Sequence, residues 1–405
     1  MIRSAPADLR RARVAVAAAF LVNGAVIADW VPRVPAVKHA LGLRDGELGL
    51  ALLGFGVGAA LALLGVAGRL VARFGSRPVV RAAGAAYCAA LVGPALARDL
   101  PSLAAALFLF GAAAGLYDVA MNAHASLLQR TAGRPMMTGF HSLFSLGGLA
   151  GAVAGGLAAA AGWSPLRHFL VAAACLGALA LLSSAWLLPA TADAPTTEPD
   201  VPNSFSGGTD PSPRTPRSTR PIRAPWSRAV LLLGLVGFSS VVGEGAAHDW
   251  SAVYLRDSLG TSPGMAAAAF VAFSLTMTAV RVVGDWLQTW LGPVRLVRLS
   301  GTVAAAGLGL GLLGDRPATG VAGFALLGGG LACVVPIAFS AAGNLGGPAG
   351  VGISRVAGIS YLPIFVAPPV IGLVADQVGL PLALGLPVAF AALVAACARV
   401  VAPAA

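Results

Sequence analysis

Three short stretches of this chain hold ionisable groups at spacings suited to passing a proton or gripping a charged solute. Residues 243–250 read GEGAAHDW, so Glu244 and His248 lie one helical turn apart and can pair, with Asp249 and Trp250 adjoining. Residues 116–124 read LYDVAMNAH, which sets Asp118 four positions before Asn122. Residues 23–34 read NGAVIADWVPRV and place Asp29 beside Trp30. The chemistry available to such groups is protonation and hydrogen bonding: a carboxyl group holds its proton in dry surroundings and releases it in wet ones. Glu, His and Asp together could ligate a metal, yet no ligand spacing singles one out, and no metal or cofactor is expected. No positioned nucleophile and base stand out for an enzyme, and no phosphate-binding P-loop stands out for ATP.

These polar groups are embedded in apolar sequence. Of 405 residues 57% are hydrophobic and 11% charged, more apolar surface than a soluble core can hide. Runs near 14–32, 48–68, 78–97, 103–128, 136–161, 166–188, 229–254, 265–284, 293–313, 318–342, 351–375 and 380–401 are each long enough to cross about 30 Å of hydrocarbon as a helix. Their Ala/Leu/Gly-rich character excludes membrane strands of alternating polarity. The expected class is therefore an all-α membrane protein with twelve transmembrane helices. The first run follows Arg10, Arg11 and Arg13 as a signal peptide would, but it is long and eleven similar runs follow, so cleavage is not expected.

Residues 190–225 are rich in Pro, Thr, Ser and Arg, which predicts a disordered linker between an N-terminal bundle, 1–189, and a C-terminal bundle, 226–405. The two parts repeat weakly: Asp29-Trp30 and a later Leu41-Gly42 answer to Asp249-Trp250 and a later Leu259-Gly260. Two repeated six-helix sets are the architecture of carriers that rock around a midplane site. The net charge of +11 concentrates at one set of span ends, including Arg69, Arg73, Arg77 and Arg81. That bias puts both termini and the linker in the cytoplasm, with the chain in the inner membrane, and leaves no folded basic platform for nucleic acid. Cys88, Cys175, Cys333 and Cys397 lie singly in apolar runs and read as small packing residues.

On a helix, Gly111, Gly115, Asp118, Asn122, Ala125 and Gln129 share one face of small and polar residues. A carboxylate near the bilayer centre costs about 2.5–3.5 kcal/mol, whereas an interhelical hydrogen bond returns about 0.6 kcal/mol, so Asp118 is favoured as functional over bracing. His124 points away from this face and reads as a packing residue, while His141 serves either a gate contact or a helix-end hydrogen bond. Gly147, Gly151 and Gly155, four apart, permit close approach to another helix. Asp249 and Trp250 fit either a cavity or an interfacial cluster, and Glu244 lies deeper. Arg281 and Asp285 are spaced for an intrahelical pair that could latch a gate. Asn23, Trp30, Tyr117, Asn344, Arg355 and Tyr361 complete the candidates for contact with a solute.

The stretch GRLVARFGSR at 68–77 resembles the loop signature of the major facilitator superfamily, Gly-x-Leu-x-Asp-Arg-x-Gly-Arg-Arg. Gly68, Leu70, Arg73, Gly75 and Arg77 match, Ala72 stands where the family has aspartate, and Ser76 replaces an arginine. RVVGDWL at 281–287 is similar to a fragment of the same signature and keeps its aspartate as Asp285. Asp29 with Pro32, and Asp118 four before Asn122, resemble the fucose-type, proton-coupled branch and its uncharacterised bacterial relatives. GFHSLFSLGGLAGAVAGG resembles the superfamily's antiporter signature, with Ala152 where proline belongs. The resemblance implies two pseudo-symmetric six-helix bundles and secondary transport of a small polar solute, with Asp29 and Asp118 as candidates for proton coupling; Glu244 joins them by its depth in the seventh apolar run, as a contact for substrate or proton. Sugar specificity does not carry over. Partners are then the solute, protons and the bilayer, and a monomer is expected. Proton-driven export is the competing direction; a membrane enzyme or a non-transporting receptor would leave the repeat and the interior carboxylates unexplained.

Overall fold

The computed structural model describes residues 6–133, 136–189, 227–343 and 349–402. Among the described residues twelve helices are long and apolar enough to cross a membrane: spans 1 (Asp8–Ala40), 2 (Asp45–Phe74), 3 (Ser76–Leu96), 4 (Leu100–Ala132), 5 (Gly139–Ala160) and 6 (Pro165–Trp186), then 7 (Arg228–Ser258), 8 (Pro263–Leu291), 9 (Pro293–Leu313), 10 (Pro317–Gly343), 11 (Arg355–Val378) and 12 (Leu380–Val401). No strand occurs among the described residues. Several spans outrun the apolar segments that announce them. Span 1 has 33 residues, roughly 50 Å of helix, because its ends continue into polar surroundings where hydropathy no longer reports helix. The linker at 190–225 lies outside the described residues.

Side chains fix several helix starts. Asp99 accepts a hydrogen bond from the backbone N–H of Ser102 at 2.9 Å, and Ser164, Ser227 and Ser262 cap spans 6, 7 and 8 in the same way. The junctions carry the internal repeat. Gly42 after span 1 and Gly260 after span 7 both have φ 63°, and Gly75 after span 2 (φ 81°, ψ 160°) matches Gly292 after span 8 (φ 74°, ψ 158°). The last conformation is open essentially to glycine alone, which is a physical reason for Gly75 in the loop motif.

Spans 1–6 and 7–12 form two bundles held by close helix crossings. The glycine ladder of span 5 packs on span 1: a Cβ on Gly147 would stand 2.1 Å from the Leu21 carbonyl oxygen, and one on Gly151 2.3 Å from that of Ala25. In the second bundle Gly301 on span 9 meets the Ala395 backbone of span 12. Without a hydrophobic drive between helices in lipid, such contact is what holds spans together.

The bundles meet through spans 2 and 11 and through spans 5 and 8. These contacts gather toward the face opposite the chain termini, here the distal face. Gly49 abuts the Pro368 carbonyl, Gly372 the Asp45 carbonyl, and Gly156 the Cβ of Ala267. Ion pairs reinforce the closure. Lys38, only 8% exposed, reaches Asp45 of its own bundle at 2.5 Å and Asp257 of the other at 2.6 Å. His39 stands 2.7 Å from the same Asp257, and Asp376 of span 11 accepts from the Gly46 N–H at 3.0 Å, with Arg44 at 3.8 Å. Toward the termini, Ala67–Phe74 packs on spans 3 and 4 of its own bundle, and Ala349–Ser360 on spans 7 and 10 of its own.

Removing the lysine leaves Asp45 and Asp257 facing each other without their shared cation, a change that costs about 3–5 kcal/mol for a buried pair. Lys38→Met should therefore populate a form open at the distal face. A cysteine at Ala267, buried against Gly156 between the bundles, should then alkylate several-fold faster than in the same protein with Lys38 intact. An unchanged alkylation rate would show that the glycine crossings, not the ion pairs, hold this face shut.

Candidate functional site

Below the distal closure lies a cavity of about 440 Å3 between the bundles, lined by spans 1, 2, 5, 7, 8 and 11. The first bundle contributes Ile27, Trp30, Leu52, Phe55 and Phe144, with Ser145. The second contributes Glu244, His248 and Asp249 from span 7, Phe270 and Arg281 from span 8, and Tyr361 beside span 11's prolines. The charged lining thus belongs entirely to the second bundle. Span 7 can present Glu244 and His248 on one face because they are one turn apart.

The pairing within this corner differs from that expected by spacing. Glu244 does not pair with His248: its Oε2 lies 3.6 Å from a terminal nitrogen of Arg281, and its Oε1 accepts from the Ser240 hydroxyl at 3.3 Å. Arg281 in turn faces Glu244 rather than Asp285, and its Nε donates to the Ala332 carbonyl at 3.3 Å. Both corrections have one cause. Arg281 gains most from the opposite charge that shares its cavity: Glu244 of the neighbouring span lines it, whereas Asp285 is not among the lining residues. His248 pairs through Nδ1 with Asp249 at 2.8 Å, its ring meets Phe270 edge-on, and its buried Nε2 has no hydrogen-bond partner.

Asp118 stands apart from this corner, on span 4, half-buried. The Asn23 amide donates to its Oδ1 at 3.4 Å, and Asn122 donates to the same oxygen at 3.3 Å and to the Asp118 backbone carbonyl at 2.9 Å. His141 makes the helix-end contact, through Nδ1 to the Met137 carbonyl at 3.0 Å, and its ring packs on Phe20.

Other candidates lie elsewhere. Asp29 is buried and bonded to His168 of span 6 at 3.1 Å, turned away from the cavity that its neighbour Trp30 lines. Tyr117 is buried against Tyr87, and Trp250 is buried with its indole nitrogen unbonded. Asn344 is outside the described residues. His124 is a packing residue, bonded to the Ser76 hydroxyl at 2.7 Å and to the Leu188 N–H at 3.1 Å. In the loop motif, Arg77 donates to the Ala185 carbonyl at 3.0 Å, so it ties span 3 to span 6, while Arg73 covers the Phe74 ring and a Cβ on Gly68 would meet open space.

Residues that spacing left unmarked are Lys38, Asp45, Asp257 and Asp376 of the closure, and His168. The four charges sit at helix ends, where a charge is ordinarily just solvated, and nothing local distinguishes them.

The chain matches the Major Facilitator Superfamily over residues 15–368. It is 37% identical over 392 residues to the uncharacterized transporter y4wD of Sinorhizobium fredii, across 95% of this chain and 97% of that one. A bacterial homologue of the human lysosomal transporter Spinster, solved inward-facing and unoccupied, superposes with a TM-score of 0.74 at 13% identity, over 98% of each chain. The fucose:proton symporter FucP of E. coli superposes with a TM-score of 0.57 at 16% identity, over 97% of this chain and 98% of that one. These two structures share its fold. With the family match covering most of its length and a full-length relative at this identity, the chain belongs to the major facilitator superfamily and is a multi-pass membrane transporter.

Proposed function

We propose that this transporter carries a small solute with polar groups by alternating access, coupled to the entry of protons, with Asp118 as the proton carrier. The observation that carries the reading is a carboxyl group inside the bundle with amide partners: Asn23 and Asn122 both donate to Oδ1, so Oδ2 is the oxygen on which a proton would sit. An ionisable side chain in this setting is expensive to keep, and function is the default reason for keeping it. Glu244 and Arg281 then serve the solute, across the cavity's polar corner. Asp29, sealed with His168, is set aside as a bracing pair. One charge falling through 100 mV supplies about 2.3 kcal/mol, enough for roughly a fifty-fold gradient of solute.

The basic residues at 69–81 orient the terminal face toward the cytoplasm of the inner membrane, so the distal face is the outer one and the conformation described is inward-facing. A reporter fused in this loop should score cytoplasmic; a periplasmic signal would reverse the whole assignment.

Asp118→Asn keeps the side chain's size and fixes the neutral state. Proton-driven accumulation in vesicles should vanish while solute binding survives and exchange of solute persists, because exchange needs no net proton release. A merely bracing Asp118 would give the opposite pattern, with a lower melting temperature and full accumulation. Solute-driven proton movement in the outward direction would favour export instead.

A further inference from the structure

The polar corner of the cavity holds two acids, Glu244 and Asp249, with His248 and one guanidinium, Arg281; Asp249 is engaged by His248 at 2.8 Å, whereas Glu244 and Arg281 are aligned but not bonded. Glu244 Oε2 and the terminal nitrogen of Arg281 are 3.6 Å apart, beyond a direct hydrogen bond, with side chains 29% and 40% exposed. Among the described residues the acid also takes a weak contact from the Ser240 hydroxyl, and the guanidinium gives one to the Ala332 carbonyl. When the bundles close over a solute, water leaves and both charges need partners. A solute with one charge would engage one member of the pair and strand the other, and an uncompensated buried charge is strongly unfavourable. A neutral solute would leave the loose pair as it is and gain little from either. A solute carrying an ammonium and a carboxylate close together satisfies both, exchanging one long contact for two charge-assisted bonds, with the planar guanidinium suited to the carboxylate.

The opposite wall limits what else that solute contains. Ile27, Trp30, Leu52, Phe55 and Phe144 face it, and Ser145 is the polar side chain among the first bundle's lining residues. A polyol would find one side-chain hydroxyl, Ser145, on that wall, because Ser274, Thr278 and Tyr361 lie on the second bundle's side of the cavity. An apolar or aromatic body fits, and about 440 Å3 is room for one.

We infer that the cavity binds a zwitterion with an apolar body, of the α-amino-acid type, its ammonium on Glu244, its carboxylate on Arg281 and its side chain against the first bundle's aromatic wall. This deepens the proposed transport function and rests on the cavity being the solute's site.

Binding of phenylalanine, phenethylamine, phenylpropionate and glucose to the full-length protein in nanodiscs, read by calorimetry without a proton gradient, tests the inference. Phenylalanine should bind at least tenfold more tightly than either single-charge analogue, and glucose should not compete with it. Because removing one charge could unfold the corner, the decisive variant is the neutral double change Glu244→Gln with Arg281→Gln. It should keep its melting temperature and lose the preference for phenylalanine. Equal or tighter binding of phenethylamine or phenylpropionate, competition by glucose, or no phenylalanine binding at millimolar concentration would each overturn the inference, as would a folded double variant that still prefers phenylalanine. Failure of the transport reading looks different: phenylalanine bound with this selectivity but no proton movement would sink the coupling and leave the zwitterion site standing, whereas proton-coupled movement of a polyol would do the reverse.

Discussion

A lysine held between two carboxylates, one from each bundle, ties the bundles together at the closed distal face of this transporter. Lys38 reaches Asp45 and Asp257 within 2.6 Å, and the second contact is the one that crosses between bundles. Everything beneath depends on that crossing. With the distal ends drawn together, Gly49 and Gly372 can bring spans 2 and 11 into backbone contact, and Gly156 can seat Ala267 on span 5. The cavity then has a roof. The glycines contribute shape at this roof, and the charges contribute a largely buried ion pair between the bundles that is costly to break by removing one partner.

Under the roof, labour divides between the bundles. The first offers an apolar wall and, behind it on span 4, Asp118 with its two amide partners. The second offers the charged corner made by spans 7 and 8. Tyr361 lines the cavity on the second bundle's side, its ring edge-on to Phe339. In the proposed function, a proton site at Asp118 separate from the solute's cavity lets occupancy of each bias the same rocking motion without competition for one carboxylate. The second Asp-Trp repeat shows how far the bundles have diverged. Asp29 is sealed against His168, whereas Asp249 lines the cavity beside His248.

Much of the fold was legible in the sequence because its determinants are local. Span length follows from hydrocarbon thickness, and the small-residue stripe Gly147, Gly151 and Gly155 announced a close crossing, although not that span 1 was the partner. The twin Leu-Gly turns were readable too, and Gly42 and Gly260 share one φ. Pairing of charges was not legible, because spacing along one helix reports only what could pair within it. Glu244 and Arg281 are on different spans and meet only in the assembled bundle, which is why the pairs Glu244 with His248 and Arg281 with Asp285 did not form. The closure was invisible for a related reason: Lys38, Asp257 and Asp376 look like ordinary charges at helix ends until two bundles bring them together.

In the proposed transport cycle the two bundles exchange one closed face for the other around this cavity. Spin labels at Leu96 and Leu313, exposed on the distal ends of opposite bundles, and a second pair at Phe74 and Trp290 toward the terminal face, report the two faces separately. Distance distributions from both pairs, measured across a pH series in nanodiscs, should show two populations that trade reciprocally, the distal distance lengthening as the terminal one shortens. A single unchanging distance at each face, or two distances that lengthen together, would contradict the account.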